Sequence, residues 1–258
     1  MAAKQAGGGN FSPQELQRLL AGEDFAAFWS RKDEELPRVC SFLELVWETN
    51  QQMNLTALKD SLSYAYLHAW DSLTCLPWLR SEQEERGLAE VWDLGTGAGF
   101  PGMVLALCLP EVDFVLIDAL AKRCAFLERA AQQLGCQNVQ VLHARAEDLG
   151  QAAAYRGRAP FVVARAVAAL PTLLELALPL CRQDGAFLAM KGRPDAQEFT
   201  DAQQLPRLLG AELERQTDLE LPVFDQIRSF WLFRQRRPCP SRYPRHYGQI
   251  KKKPLRGV

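Results

Sequence analysis

The stretch Asp93–Gly102 reads DLGTGAGFPG and lies between two apolar runs, LAEVW before it and MVLALCL after it. Four glycines in ten residues leave a loop almost bare of side chains. A chain needs such a loop where its backbone turns through positive φ or lies against a ligand. Pro101 suits the first position of a following helix, so the segment reads as strand, loop, helix. Outward from it the same alternation repeats. Strands are expected at LAEVWDL, DFVLIDA, NVQVLHA, PFVVARA, GAFLAMKG and RSFWLFRQ, with helices over 101–109, 121–135, 168–182 and 194–209. ELERQTDLELP precedes the last strand across a turn-like VFDQ and predicts a closing antiparallel hairpin. Alternation of this kind predicts an open, mostly parallel sheet with helices on both faces, whose ligands sit beyond the carboxyl ends of the strands. No internal repeat is evident.

Upstream of residue 80 the apolar period is helical. Ser12-Pro13 offers an N-cap followed by proline, with Glu15 three residues on. Val39, Phe42, Leu43, Val46 and Trp47 then recur at three- and four-residue spacing, and SLSYAYLHAWDSLTCL forms a second periodic stretch. NQQMNLTAL is a polar break between them. The expected organisation is a disordered segment 1–10, a helical cap 11–86, an α/β domain 87–235 and a basic tail 236–258.

Composition narrows the function classes. The chain has 258 residues, 48% hydrophobic and 24% charged, ample for a well-buried core. No apolar run reaches the roughly 18–20 residues of a membrane span, and MAAKQAGGGN has no hydrophobic signal core. A cytoplasmic location is the expectation. Seven cysteines, odd in number and never in a CxxC pair, argue against a zinc site or a disulfide framework. The sequon at Asn54 therefore carries little weight. The net charge of -1 hides an asymmetry: no acidic residue follows Asp225, whereas ten Lys or Arg do. An acidic body with a basic tail points to a polyanionic partner.

The register of the glycines selects among cofactors. No Lys follows to complete a Walker loop, and GxGxxG fails because Phe100 falls where the third glycine belongs. What fits is an acid followed by alternating glycines, Asp93-x-Gly95-x-Gly97-x-Gly99, which resembles motif I of class I S-adenosylmethionine-dependent methyltransferases. In that reading Asp93 attracts the cofactor's cationic amino-acid portion and the bare backbone packs on the nucleoside. Asp118 ends the second strand, where a carboxylate accepts from ribose hydroxyls. Ala146-Glu147 follows the third strand at the place of an adenine. Arg165 ends the fourth, where a guanidinium needs a carboxylate, phosphate or ligand.

Taken together, DLGTGAGFPG, FVLIDALAKRCAFLE, ARAED, ARAVAAL and AFLAMKG, with MNLTAL and HAWDSL upstream and RYPRHYGQIKKKPL at the end, resemble the RsmG (GidB) family of bacterial 16S rRNA methyltransferases. The resemblance runs from about residue 36 onward. It implies the class I methyltransferase fold: a Rossmann-like, mostly parallel seven-stranded sheet with an amino-terminal helical cap. It also implies methylation of guanine N7 in the 530 loop of small-subunit rRNA, with S-adenosyl-L-methionine as cofactor. By the same resemblance Gly95 and Phe100 contact the cofactor. Asp118, Ala119 and Leu120 hold the ribose side, Ala146 and Glu147 frame the adenine, and Arg165 completes the site. The family often has Ser where this chain has Ala119, which puts only a hydroxyl contact in doubt.

Guanine N7 has a free lone pair, so in-line SN2 transfer needs no general base, in keeping with the absence of a (D/N)PP(Y/F) motif. No catalytic residue is certain; Arg165, Lys191 and His68 are the positioning candidates. A lone His68 between Tyr66, Leu67 and Trp70 also reads as a packed, hydrogen-bonded structural residue. Phe100 reads equally as a stacking face or as core. Lys122, Arg123 and Lys191 are expected to neutralise RNA phosphates. Arg236, Arg237, Arg242, Arg245 and Lys251, Lys252 and Lys253, interleaved with Tyr243 and Tyr247, are expected to grip RNA. Deleting 236–258 should then weaken RNA binding with little loss of cofactor affinity. The expected partner is 16S rRNA or a small-subunit precursor, for a monomer without metal or membrane contact. Two other readings stay open at this point: a methyltransferase of the same fold acting on a small molecule or protein, and an NAD-type oxidoreductase or non-catalytic nucleotide-binding module.

Overall fold

The computed structural model describes residues 10–26, 29, 32–193 and 195–256; the expected disorder of 1–10 thus falls almost wholly outside the described residues, as does the end of the tail. Seven strands form one sheet: β1 (Glu90–Leu94), β2 (Asp113–Asp118), β3 (Val139–His143), β4 (Ala159–Arg165), β5 (Cys181–Lys191), β6 (Ala211–Leu221) and β7 (Gln226–Gln235). Their order is β3-β2-β1-β4-β5-β7-β6. β1 to β5 run parallel, and β7 is antiparallel to both β5 and β6, closing the sheet with the expected hairpin. The central strands β1, β2 and β4 are mostly apolar and buried because both faces are covered. Phe114 and Leu116 of β2 point into one core, and Val115 and Ile117 into the other.

The first core is shared with the amino-terminal helices: α1 (Pro13–Leu20), α2 (Lys32–Met53), α3 (Ser61–Ser63), α4 (Asp71–Leu73) and α5 (Leu76–Arg86). Ser12 caps α1 by accepting from the Glu15 amide, as its sequence position predicts. Between α3 and α4 the chain is π-helical over Tyr64–Trp70, a wider turn often found at functional sites. On the same face lie α6 (Gly102–Cys108) and α7 (Ala121–Gln133). The opposite face is covered by α8 (Ala146–Gln151), α9 (Leu170–Ala177), α10 (Ala196–Leu208) and the tail, whose Tyr243 and Ile250 are buried there.

Two local expectations change. Pro101 stands at the N-cap of α6 rather than in its first turn. The helix expected over 168–182 stops at Ala177, and β5 begins at Cys181. Ala159 pairs with Cys181 and Phe161 with Ala186, so residues 182–185 bulge out of register, with Asp184 at φ 61°. The basic tail packs against the body of the protein. It forms α11 (Tyr247–Lys252), and Arg156 donates to the carbonyls of Cys239, Pro240 and Tyr243 at 2.7, 3.0 and 2.6 Å.

Candidate active site

The loop after β1 rides on the end of β2. The amides of Gly95 and Thr96 both donate to the Ile117 carbonyl, at 2.8 and 3.0 Å. Asp118 then ties three segments together: Oδ2 accepts from the Gly97 amide (3.0 Å) and Arg123 (3.3 Å), and Oδ1 from the Leu120 amide (2.8 Å). Each carboxylate oxygen has two acceptor positions, so Oδ1 retains one. Beyond this crossing opens a cleft of about 160 Å³ lined by Gly95, Asp118, Ala119, Ala146 and Glu147, five of the residues expected from sequence. Val167 and Tyr247 are also among its walls.

The glycines divide between ligand space and packing. Gly97 has φ 61°, and a Cβ there would meet nothing closer than 4.0 Å, so its exposed side is open for a ligand. Gly99 has φ 98°, and a Cβ there would fall 2.8 Å from Phe42 and 2.9 Å from Leu127. It is glycine because the cap helix α2 and α7 press on it. An open backbone, a ribose-type acceptor and apolar walls suit the nucleoside portion of a cofactor.

Other expected cofactor contacts lie elsewhere. Asp93 is wholly buried, with Oδ2 accepting from the Gly102 amide at 2.8 Å, which anchors the amino terminus of α6. Burial raises its carboxyl to about 6, against the hydrogen bonding that lowers it. The Phe100 ring, 5% exposed, is stacked on His68 at 4.0 Å between ring centres and packs on Phe42. It joins cap to sheet and offers no free face to the cofactor. Leu120 is exposed at the start of α7.

The segment after β4 walls this cleft through Val167 and a second cleft of about 290 Å³ through Arg165 and Ala166. Ala166 has φ 54°, a left-handed conformation that costs a non-glycine residue about 1–2 kcal/mol. The second cleft also holds His68, Asp71, Lys191 and Arg228. Asp71, 1% exposed, accepts from Arg165 Nη1 at 2.9 Å and Arg228 Nε at 2.7 Å. Arg165 also donates to the Leu67 carbonyl at 3.0 Å. Lys191 Nζ lies 2.8 Å from Glu198 and 3.1 Å from the Ala168 carbonyl. His68 Nε2 is 3.0 Å from Thr56 Oγ1, and burial, then the charge of Arg165, holds its pKa well below the usual range. It is packed against Phe100 and lines the cleft.

Sequence reading missed Asp71 and Arg228 as site residues. Arg228 was counted only in the basic run, although it opens the apolar strand RSFWLF as Arg165 closes another.

The expected RNA contacts separate. Lys122 Nζ reaches the Met53 carbonyl at 3.4 Å, and Arg123 is engaged by Asp118. Arg236 pairs with Glu212, Glu214 and Asp184, and Arg237 donates to the Arg207 carbonyl. Both follow β7, whose antiparallel course carries them to the far end of the sheet, away from the clefts. Arg245 makes three hydrogen bonds of 2.6–2.9 Å to the buried Glu175. Arg242 lies over the Tyr243 ring in a groove with His246 and Gln249. Lys251, Lys252 and Lys253 are exposed. Tyr247 reaches the first cleft, so the tail supplies part of its wall.

Among the described residues, no group of three side chains could hold a metal ion, and no helix is long and apolar enough to cross a membrane. Residues 35–222 match the family model described as rRNA small subunit methyltransferase G. The chain is similar to proteins named Ribosomal RNA small subunit methyltransferase G. With that of Symbiobacterium thermophilum it shares 43% identity over 83% of this chain and 87% of the relative. The figures for Alkaliphilus oremlandii are 35%, 87% and 92%, and for Listeria monocytogenes 32%, 95% and 99%. A glycine loop, a strand-end carboxylate and an adjoining cationic cleft thus occur in a chain that belongs to the rRNA small subunit methyltransferase G family, with S-adenosyl-L-methionine as its cofactor.

Proposed function

We propose that this chain methylates N7 of a guanine in the 530 loop of 16S rRNA, in the bacterial cytoplasm, acting as a monomer on rRNA or a small-subunit precursor. The observation that carries this reading is the segment Arg165–Val167, which walls both clefts and so brings a nucleoside site against a cationic one. When bound, S-adenosylmethionine supplies an electrophilic methyl group on a sulfonium. The Gly95 and Gly97 backbone, Asp118, Ala119, Ala146 and Glu147 hold its nucleoside portion, and Arg165 stands at the junction towards the target base.

N7 carries a free lone pair, so no proton has to leave it for in-line SN2 transfer. The cleft's own groups support transfer without a general base. His68 is buried against Phe100 with Nε2 at Thr56, and both Asp71 oxygens accept from guanidinium groups. What the chain contributes is position: Arg165 and Lys191 set the cleft's charge, and His68 helps to set its shape. Holding reactants in line supplies up to roughly 7–11 kcal/mol in ideal cases. The test is transfer of labelled methyl to rRNA lacking the modification, followed by identification of the labelled nucleoside. The expected product is 7-methylguanosine in 16S rRNA; label in any other nucleoside, or in no RNA, overturns the reading.

A further inference from the structure

Arg228 is held but mostly unused. Of the five N–H donors of a guanidinium, it employs only Nε, which donates to Asp71 Oδ1 at 2.7 Å; no partner is present among the described residues for Nη1 or Nη2. Arg165 likewise hydrogen-bonds only through Nη1, with its guanidinium 5.5 Å from the centre of the Phe100 ring. Asp71 comes from the cap, Arg165 from β4 and Arg228 from β7, so one buried carboxylate orients two guanidiniums from distant parts of the chain. Their free donors border the same cleft as Lys191. Asp71 and Glu198 offset two of the three positive charges there, which leaves one in excess together with a planar fork of unpartnered N–H groups. A fork of that geometry matches the oxygens of a phosphodiester.

We propose that Arg228, oriented by Asp71, binds a phosphate of the substrate RNA beside the methylated base. Asp71 is then a positioning residue. The inference rests on the RNA reading above and assigns the polar contact that sets the strand in the cleft. Arg165, two residues before the Val167 that walls the first cleft, keeps its place at the junction.

The experiment measures the affinity of a 530-loop RNA fragment across a salt series, with S-adenosylmethionine affinity measured by calorimetry on the same preparations. Arg228→Gln should bind the RNA on the order of tenfold more weakly. Its slope of log affinity against log salt should be shallower by about 0.7, with cofactor affinity changed less than about twofold. Arg228→Lys, which keeps the charge beside Asp71, should recover the slope. In the unaltered protein, a neutral methylphosphonate in place of one phosphate flanking the target should cause a similar loss, and the same RNA should cause none in Arg228→Gln. Unchanged affinity and slope overturn the proposal, as does the absence of any sensitive phosphate, which is read without a variant. A loss confined to the cofactor also overturns it and assigns the guanidinium to the cofactor carboxylate. If the unaltered protein methylates 16S rRNA and Arg228→Gln is insensitive, this proposal alone falls; if the unaltered protein methylates no rRNA, the earlier reading falls.

Discussion

Strand β7 carries arginines at both ends, and the two ends of the sheet treat them differently. At the carboxyl end of the parallel strands, Arg228 meets one carboxylate oxygen and opens its remaining donors to a cleft. At the opposite end Arg234 is 1% exposed and makes five hydrogen bonds, to Glu82, Glu214 and the Asp184 carbonyl, which matches its donor capacity. Burial acts to lower its pKa, but the bonds to Glu214 and Glu82 outweigh it and hold the pKa above the usual range. The same side chain is structural where carboxylates fill its fork and available for binding where they do not. Position relative to the strand ends decides which, because an open α/β sheet gathers its ligands at the carboxyl ends.

The largest expected effect breaks the closed end. Arg234→Ala strips a partner from buried carboxylates and should cost about 3–5 kcal/mol of stability in chemical denaturation. It should leave the salt slope of RNA binding unchanged in protein that remains folded. An altered slope would erase the distinction between the two ends.

The next effect belongs to the ligand end and depends on pH. Burial holds the Asp93 carboxyl at about 6, against 3.8 when free. The folded state therefore favours the protonated form. Its contribution is complete below about 3.8 and is lost as pH rises through about 6. Asp93→Asn keeps an acceptor for the Gly102 amide and removes the titration. The stability of the unaltered protein relative to this variant should fall by about 2–3 kcal/mol between pH 3.5 and 7. A difference constant with pH would show that Asp93 does not titrate as a buried acid.

Arg245→Ala tests whether the tail belongs with the closed end despite its charge. It leaves Glu175 buried without its cation and should cost about 2 kcal/mol. Because Tyr247 lies two residues on, S-adenosylmethionine binding should weaken as well, measured by calorimetry. Lost RNA affinity with stability unchanged would return Arg245 to the RNA contacts expected from sequence. The smallest effect is that of Arg236→Ala. Its half-exposed ion pairs are worth about 0–1 kcal/mol, and RNA binding should not change; a shallower salt slope would place RNA at both ends of the sheet.

Much of this was legible in the sequence because it depends on short-range pattern. Ser12-Pro13 announced α1, the apolar runs announced the strands, and the glycine register announced the kind of cofactor. Helices α8 and α11 escaped notice because six residues are too few for a helical period to declare itself. The bulge at 182–185 hid the start of β5 for a related reason: Cys181 and Arg182 continue the helix expected over 168–182 until Cys181 is seen paired with Ala159.

The sequence by itself determined the sheet, its helical cap, the placement of Gly95, Asp118, Ala119, Ala146 and Glu147 around one cleft, and the family. Tertiary structure alone decided that Phe100 stacks on His68, that Arg236 turns away from the site, and that Asp71 holds Arg165 and Arg228 together. The physical reason is range. Periodicity and turn chemistry act over a few residues, whereas the contacts of Asp71 join positions 94 and 157 apart in sequence, and only the packing of the cap onto the sheet brings them within hydrogen-bonding distance.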